Sequence, residues 1–320
     1  MKFNKPTYLV LGLAFAFLPA CEPTEEQPND LSAPVIDHAE GSDHIEPENG
    51  EVYGVNSDHM NIRFSVEDPS GIGQVRVNAH ANFDGHSHGR INNNFVRLDI
   101  NNIFSPTAEN PAFRFPEGST RININASETD IYWAGSNSTL SGPVIAGSYD
   151  VGIEATDIFG NQTGYDDASS YIATIQIRTP YAPAISISNL HEGELEAEAG
   201  TPLEVQGSVA KTDHELSAPI TFLWIRMAEE SHDEDGDDHD GHNHRVAEGD
   251  FYDKMWGSSA WLDEGNGPDL PHNEMLDLSK ILTGDDAIIV PAGEDHLDLI
   301  IRAEDSNGNT TEEIFTIHVE

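Results

Sequence analysis

Tyr149-Asp-Val151-Gly-Ile153-Glu-Ala155-Thr-Asp157-Ile-Phe-Gly160-Asn161-Gln-Thr163 and His296-Leu297-Asp298-Leu-Ile-Ile301-Arg-Ala303-Glu-Asp305-Ser-Asn-Gly308-Asn309-Thr310 are one phrase written twice, roughly 150 residues apart. In each copy Asp150 or Asp298 is followed by apolar residues, then Ala, one residue, Asp, two residues and Gly-Asn. Apolar and polar residues alternate through the first copy, Tyr149, Val151, Ile153 and Ala155 being apolar, which is the period of a half-buried strand. Asp-x-x-Gly-Asn is turn chemistry, because Gly accepts positive φ and Asp bonds the backbone ahead of it. Asp157 with Asn161, and Asp305 with Asn309, have the donors for calcium at a domain end, but capping of the hairpin is the favoured reading. A strand-turn phrase recurring at this distance is a repeat of domain size, not a short-period solenoid.

Outward from the first copy lie more segments of the same rhythm. Met60–Val66 and Gln74–His80 alternate, with the turn Asp68-Pro69-Ser70-Gly71 between them. Phe95–Ile100, Phe113–Phe115, Arg121–Ala126 and Tyr171–Ile177 complete a set of short strands. Around the second copy, Phe222–Met227 and Glu313–Val319 do the same, with Trp224 expected in the core. Ala182-Pro183-Ala-Ile185 echoes Ala33-Pro34-Val-Ile36, so Arg178–Pro183 reads as a linker. The expected fold is all-β: two tandem immunoglobulin-like β-sandwich domains, residues 33–178 and 179–320. Met255–Leu282 breaks the rhythm and reads as an insertion. A short helix is expected from Pro271 or Asn273, with Met275, Leu278, Ile281 and Leu282 inward. Phe251, Tyr252, Trp256 and Trp261 have the make-up of a sugar-stacking platform, although core filling is the favoured role.

Residues 1–20 read as a targeting segment, with Lys2 and Lys5 before the apolar run Tyr8–Leu18, which is too short to span a bilayer. The run ends in Leu18-Pro19-Ala20-Cys21, which resembles the lipobox of a bacterial lipoprotein, and Cys21 is the only cysteine. The expectation is an outer membrane lipoprotein of a Gram-negative bacterium, lipidated on Cys21 and facing the periplasm or the surface. Residues 21–32 form an acidic, proline-bearing tether. Without a second cysteine no internal disulfide can form. A net charge of −42 argues against nucleic acid, whose phosphates need Lys and Arg.

Two histidine clusters carry the chemistry. The first is His80-Ala-Asn-Phe-Asp84-Gly-His86-Ser-His88; the second runs from His232 through an acidic stretch to His239-Asp240-Gly-His242-Asn-His244. Both end in Asp-Gly-His-polar-His, and seven of the fifteen histidines lie in them. Neutral imidazole with carboxylate suits a divalent transition metal, Zn, Cu or Ni. The candidate ligands are His80, Asp84, His86 and His88 in the first cluster, and His232, His239, Asp240, His242 and His244 in the second. Ca is the weaker expectation: Asp238 stands where an EF-hand loop needs Gly, and His244 where it needs Glu. The alternative is a pair of solvated polar loops. No nucleophile elbow, phosphate loop or His-Glu-x-x-His helix is present, so no enzyme is expected.

The stretch Asn78-Ala-His80-Ala-Asn82-Phe83-Asp84-Gly-His86-Ser-His88 resembles the signature of a Bacteroidota lipoprotein family catalogued as domain of unknown function 4625. The resemblance implies immunoglobulin-like modules with a His-rich loop after a strand, here in two copies. The second copy departs from the signature, since no Asn-Phe precedes Asp240 and an acidic run is inserted. The resemblance implies fold and envelope location and no activity. Two functions are expected as alternatives: capture or buffering of a divalent metal, accessory to metal uptake by an outer-membrane importer, and a surface interaction module for glycan or protein with incidental His-rich loops.

Overall fold

The computed structural model describes residues 31–82, 94–229, 251–262 and 267–320. Ser32–Glu320 is one compact unit. Its strands form two sets of sheets in the same order. In the first set, β1 (Val35–Asp37), β4 (Phe64–Glu67) and β7 (Arg121–Ile124) make a three-stranded sheet. Facing it, β2 (Val52–Tyr53), β10 (Tyr171–Ile177), β9 (Gly147–Asp157), β5 (Ile72–Ala81) and β6 (Ile100–Phe104) make a five-stranded sheet in that spatial order. A small pair, β3 (His59–Met60) with β8 (Ile131–Tyr132), lies alongside.

The second set repeats this plan. β11 (Ala184–Ile187), β13 (Gly207–Ala210) and β16 (Met275–Asp277) form the small sheet, and β12 (Leu195–Ala197), β18 (Thr310–Val319), β17 (His296–Asp305), β14 (Ile220–Glu229) and β15 (Tyr252–Gly257) the large one. In both large sheets the short edge strand pairs parallel, β2 on β10 and β12 on β18. All other ladders of these sheets are antiparallel. Three antiparallel strands facing five is the all-β immunoglobulin-like sandwich expected from the alternation.

The period of two decides which side chains fill each core. Val75, Val77 and Ala79 of β5 and Tyr149, Val151, Ile153 and Ala155 of β9 point between the sheets and are essentially inaccessible. Leu223, Ile225 and Met227 of β14 and Leu297, Leu299, Ile301 and Ala303 of β17 do the same in the second core. Each large aliphatic side chain so buried contributes about 1.5–3 kcal/mol, which supplies the stability in a chain with no second cysteine. Tyr149, at the start of β9, donates its hydroxyl proton to the Ile145 carbonyl at 2.7 Å. That is the tyrosine corner of immunoglobulin-type sandwiches.

Some local expectations change. Phe113–Phe115 is not a strand, because Asn110 caps a 3-10 turn whose first residue is Pro111. The edge strand beside β5 in the first large sheet is Ile100–Phe104, not Phe95–Ile100, while Phe95 and Leu98 are buried in the segment leading to it. Asn101 and Asn102 lie on this edge strand and pair with Asn78 and Val77. The expected helix near Asn273 shrinks to one turn, Leu278–Ile281, after β16; Leu278, Ile281 and Leu282 are inward as expected, but Met275 is exposed. Trp224 is buried, but on the opposite face of β14 from Leu223 and Ile225. There the Arg226 guanidinium covers its ring at 4.6 Å, and its indole N–H donates to Asp253 at 2.6 Å.

The stretch after β15 covers that outer face and also joins the two sandwiches. Trp261 is buried in the first hydrophobic core, its N–H donating to the Gly308 carbonyl at 2.8 Å and Arg97 standing over its ring at 5.0 Å. The second Asp-x-x-Gly-Asn turn docks on the residues before β9. Ala146 N–H donates to the Asn309 carboxamide at 3.1 Å, and Thr310 N–H donates back to the Ala146 carbonyl at 2.9 Å. The linker is packed as well: Tyr181 is buried and donates to the Val144 carbonyl at 2.6 Å. Among the described residues no helix is long and apolar enough to cross a membrane.

Candidate functional site

Both histidine clusters leave the same place in the repeat. The first starts at His80 near the end of β5 and precedes β6; the second follows β14 and precedes β15. These strands are equivalent, since Ala79 faces Val151 in the first sandwich as Met227 faces Leu299 in the second. Asp84, His86, His88, His232, His239, Asp240, His242, His244 and Cys21 lie outside the described residues.

His80 is described. It sits on the outer face of β5, exposed and opposite Asp150 of β9. Asp150 belongs to the repeated phrase, and its side chain holds Asn82, which follows β5. Asp150 is buried, and one oxygen accepts from Asn82 Nδ2 at 2.7 Å and from the Thr174 hydroxyl at 2.7 Å. Asn82 N–H also donates to the Ser148 carbonyl at 3.1 Å. A buried carboxylate is costly unless bonded in this way, so the strand end is fixed up to the residue before Phe83. Asp298 is buried at the equivalent place, opposite Ala228.

The two Asp-x-x-Gly-Asn turns are capped hairpins. Asp157 accepts from the backbone of Phe159 and Asn161, both at 2.8 Å, and from the Asn161 side chain at 2.6 Å. Asp305 accepts from Asn307 and Asn309 N–H, both at 2.9 Å, and from the Asn309 side chain at 3.0 Å. Burial pushes the Asp305 carboxyl up to about 6 against the pull of its Asn309 bonds. These carboxylates serve the backbone, as favoured from the sequence.

Trp256 and Trp261 are buried, Tyr252 packs on the second core with its hydroxyl on the Asp286 carbonyl at 2.9 Å, and Phe251 is the exposed member of the four. Tyr252 and Trp256 lie on strand β15 and not in an insertion, and with Trp261 they fill space in the two cores.

A different cluster was not read from the sequence. Glu194, His296 and His318 each offer a ligand atom, all within 4.8 Å of one another. The two imidazoles lie on paired residues of β17 and β18, with His318 Nδ1 at 3.4 Å from His296 Nε2. Beside them His191 Nδ1 meets Glu196 at 2.8 Å.

No curated protein matches the chain. Among solved structures, the fibronectin(III)-like modules of Clostridium thermocellum CbhA share 11% identity, covering 90% of this chain and 94% of that one, at a TM-score of 0.22. A tetra-tandem repeat from the extending region of a large adhesion protein shares 14%, covering 90% and 49%, at 0.25. SGBP-B of the Bacteroides ovatus mixed-linkage glucan utilization locus, in complex with a mixed-linkage heptasaccharide, shares 12%, covering 89% and 47%, at 0.23. These scores assign no function. Residues 19–172 match the model of the family described as Domain of unknown function (DUF4625), the family that the stretch Asn78–His88 resembles.

Proposed function

We propose that this chain is a non-catalytic, envelope-anchored binding module whose ligand contacts lie on the stretches between the fourth and fifth strands of each large sheet, counted in spatial order. One observation carries the reading: both His-Asp clusters are inserted between equivalent strand pairs, β5–β6 and β14–β15, on one compact unit. A random polar loop has no reason to repeat both its wording and its place. The residue types suit a divalent transition ion, Zn, Cu or Ni, for capture or buffering beside an uptake system. The acidic chain adds long-range attraction for cations, screened by salt at exposed sites.

The test is calorimetric titration of Zn and Cu into the full chain and into a variant with His86, His88, His232, His239, His242 and His244 changed to Ala. Loss of at least about tenfold in affinity, or of binding equivalents, is expected; unchanged isotherms refute the metal reading of the loops. Anchoring is tested by Cys21→Ser, which should release the chain from membranes, whereas unaltered detergent partitioning refutes the lipid anchor.

A second reading has its own observation. The turn of the second sandwich that docks on Ala146 carries Ser306 and Asn307; the same turn of the first carries Ile158 and Phe159, both about half exposed. An apolar pair at a free end suits a protein partner. Retention of partner capture by the loop variant, with loss in Ile158→Ser and Phe159→Asn, would put this reading first.

A further inference from the structure

We propose that Glu194, His296 and His318 form a zinc-type metal site at the end of the second sandwich, separate from the His-rich loops. The site rests on its own side chains and stands whether or not the loops bind metal.

The hairpin makes the pair. β17 and β18 are antiparallel, and His296 is the direct partner of His318. Directly opposed residues bring their side chains together on one face. Leu297 and Ile317 point into the core, so both imidazoles lie on the outer face. β12 pairs parallel with β18 and sets Glu196 beside His318. The tight turn before it, with Glu192 and Gly193 at φ 53° and 103°, brings in Glu194.

The geometry suits a metal better than a hydrogen bond. An N–H···N bond is best at about 2.9–3.0 Å, and 3.4 Å is long. Two imidazole nitrogens bound to one tetrahedral ion at about 2.1 Å stand roughly 3.4 Å apart, the edge of that tetrahedron. The Glu194 oxygen lies within 4.8 Å of both nitrogens. It needs a shift of roughly 1 Å, within a change of side-chain torsion for a partly exposed Glu. Two His and one Glu are a known zinc ligand set, leaving a fourth position for water. Glu196, the register partner of His318, is itself paired with His191 at 2.8 Å.

The first sandwich is the internal control. The partner of Gln176 in β9 is Ser148, and β2 contributes Val52 on the other side. These places correspond to His296, His318 and Glu196 in the second ladder. The sandwich is therefore built equally well without ligands there, and packing does not call for the histidines. The site also stands next to the exit of the second loop, because Glu229, the last residue of β14, is paired with Leu297.

The experiment uses the full chain with the six loop histidines changed to Ala, so that loop binding is silent. Zn is titrated with imidazole nitrogen resonances as readout, and Co as a spectroscopic substitute. One equivalent should bind, moving the His296 and His318 resonances, and Co should give the visible bands of a tetrahedral site. His296→Gln or His318→Gln should weaken Zn at least about tenfold, and Glu194→Gln by less. All variants should melt as the parent does without metal, because the positions are at the surface. The proposal is overturned if the loop-silent chain binds no Zn below millimolar concentration, or if His296→Gln and His318→Gln leave the titration unchanged. Failure of the loop reading shows instead as six replacements that change nothing in the parent isotherm.

Discussion

Glu304 has no accessible surface, yet it is a carboxylate. Burial pushes it up to about 7, against the bonds it receives from Ser259 Oγ at 2.6 Å and Ala260 N–H. Its folded-state value exceeds its unfolded one, so the proton is bound more tightly in the folded chain. The stabilising contribution is fully present below the unfolded value and is lost as pH rises through about 7. Glu304→Gln keeps an acceptor for Ala260 and removes the charge. Its melting temperature should exceed the parent's at pH 8, by roughly 1–3 kcal/mol in stability, and converge with it near pH 4. A variant that tracks the parent across that range would show that Glu304 is not buried as a charge. Asp305, its neighbour, also raised by burial, is the turn acceptor and should not be replaced in the same test.

At the scale of elements, the repeated phrase made the strand and its turn legible, because alternation and Asp-x-x-Gly-Asn are local signals. Less legible was what the turn does in each copy. Asp305–Asn309 docks on Ala146, and Asp157–Asn161 carries exposed Ile158 and Phe159. The same holds for Trp224 and Trp261: composition marks both as buried, but not on which face or in which sandwich. The His296–His318 pair had a usable signal. Counting outward from the turn, nine residues back from Asp305 and nine forward from Asn309, reaches both histidines, and the register agrees. The carboxylate of Glu194 had none, because it arrives through a parallel edge strand roughly 100 residues away. The join between sandwiches predicts that Trp261→Ala costs about 3–5 kcal/mol, the usual range for emptying a buried aromatic site. It should lower the melting of the first sandwich as well as the second, read by protease cleavage in each half. A loss confined to the second half would remove Trp261 from the first core.

For the whole molecule, one compact unit holds two equivalent strand pairs, β5–β6 and β14–β15, from which the His-rich stretches leave, with Glu194, His296 and His318 grouped at the end of the second sandwich. The net charge of −42 over the full chain sets up a field that attracts cations. The two sandwiches are bound by a buried tryptophan and by backbone bonds across Ala146, so ligand at one loop should not reorganise the rest. The most direct measurement is amide hydrogen exchange of the full chain with and without saturating Zn. The account predicts slower exchange in residues 82–94, in 229–251 and around 194, 296 and 318, with β4, β9 and β13 unchanged. Zn-induced protection absent from both loop segments, or spread evenly over the two cores, would contradict it.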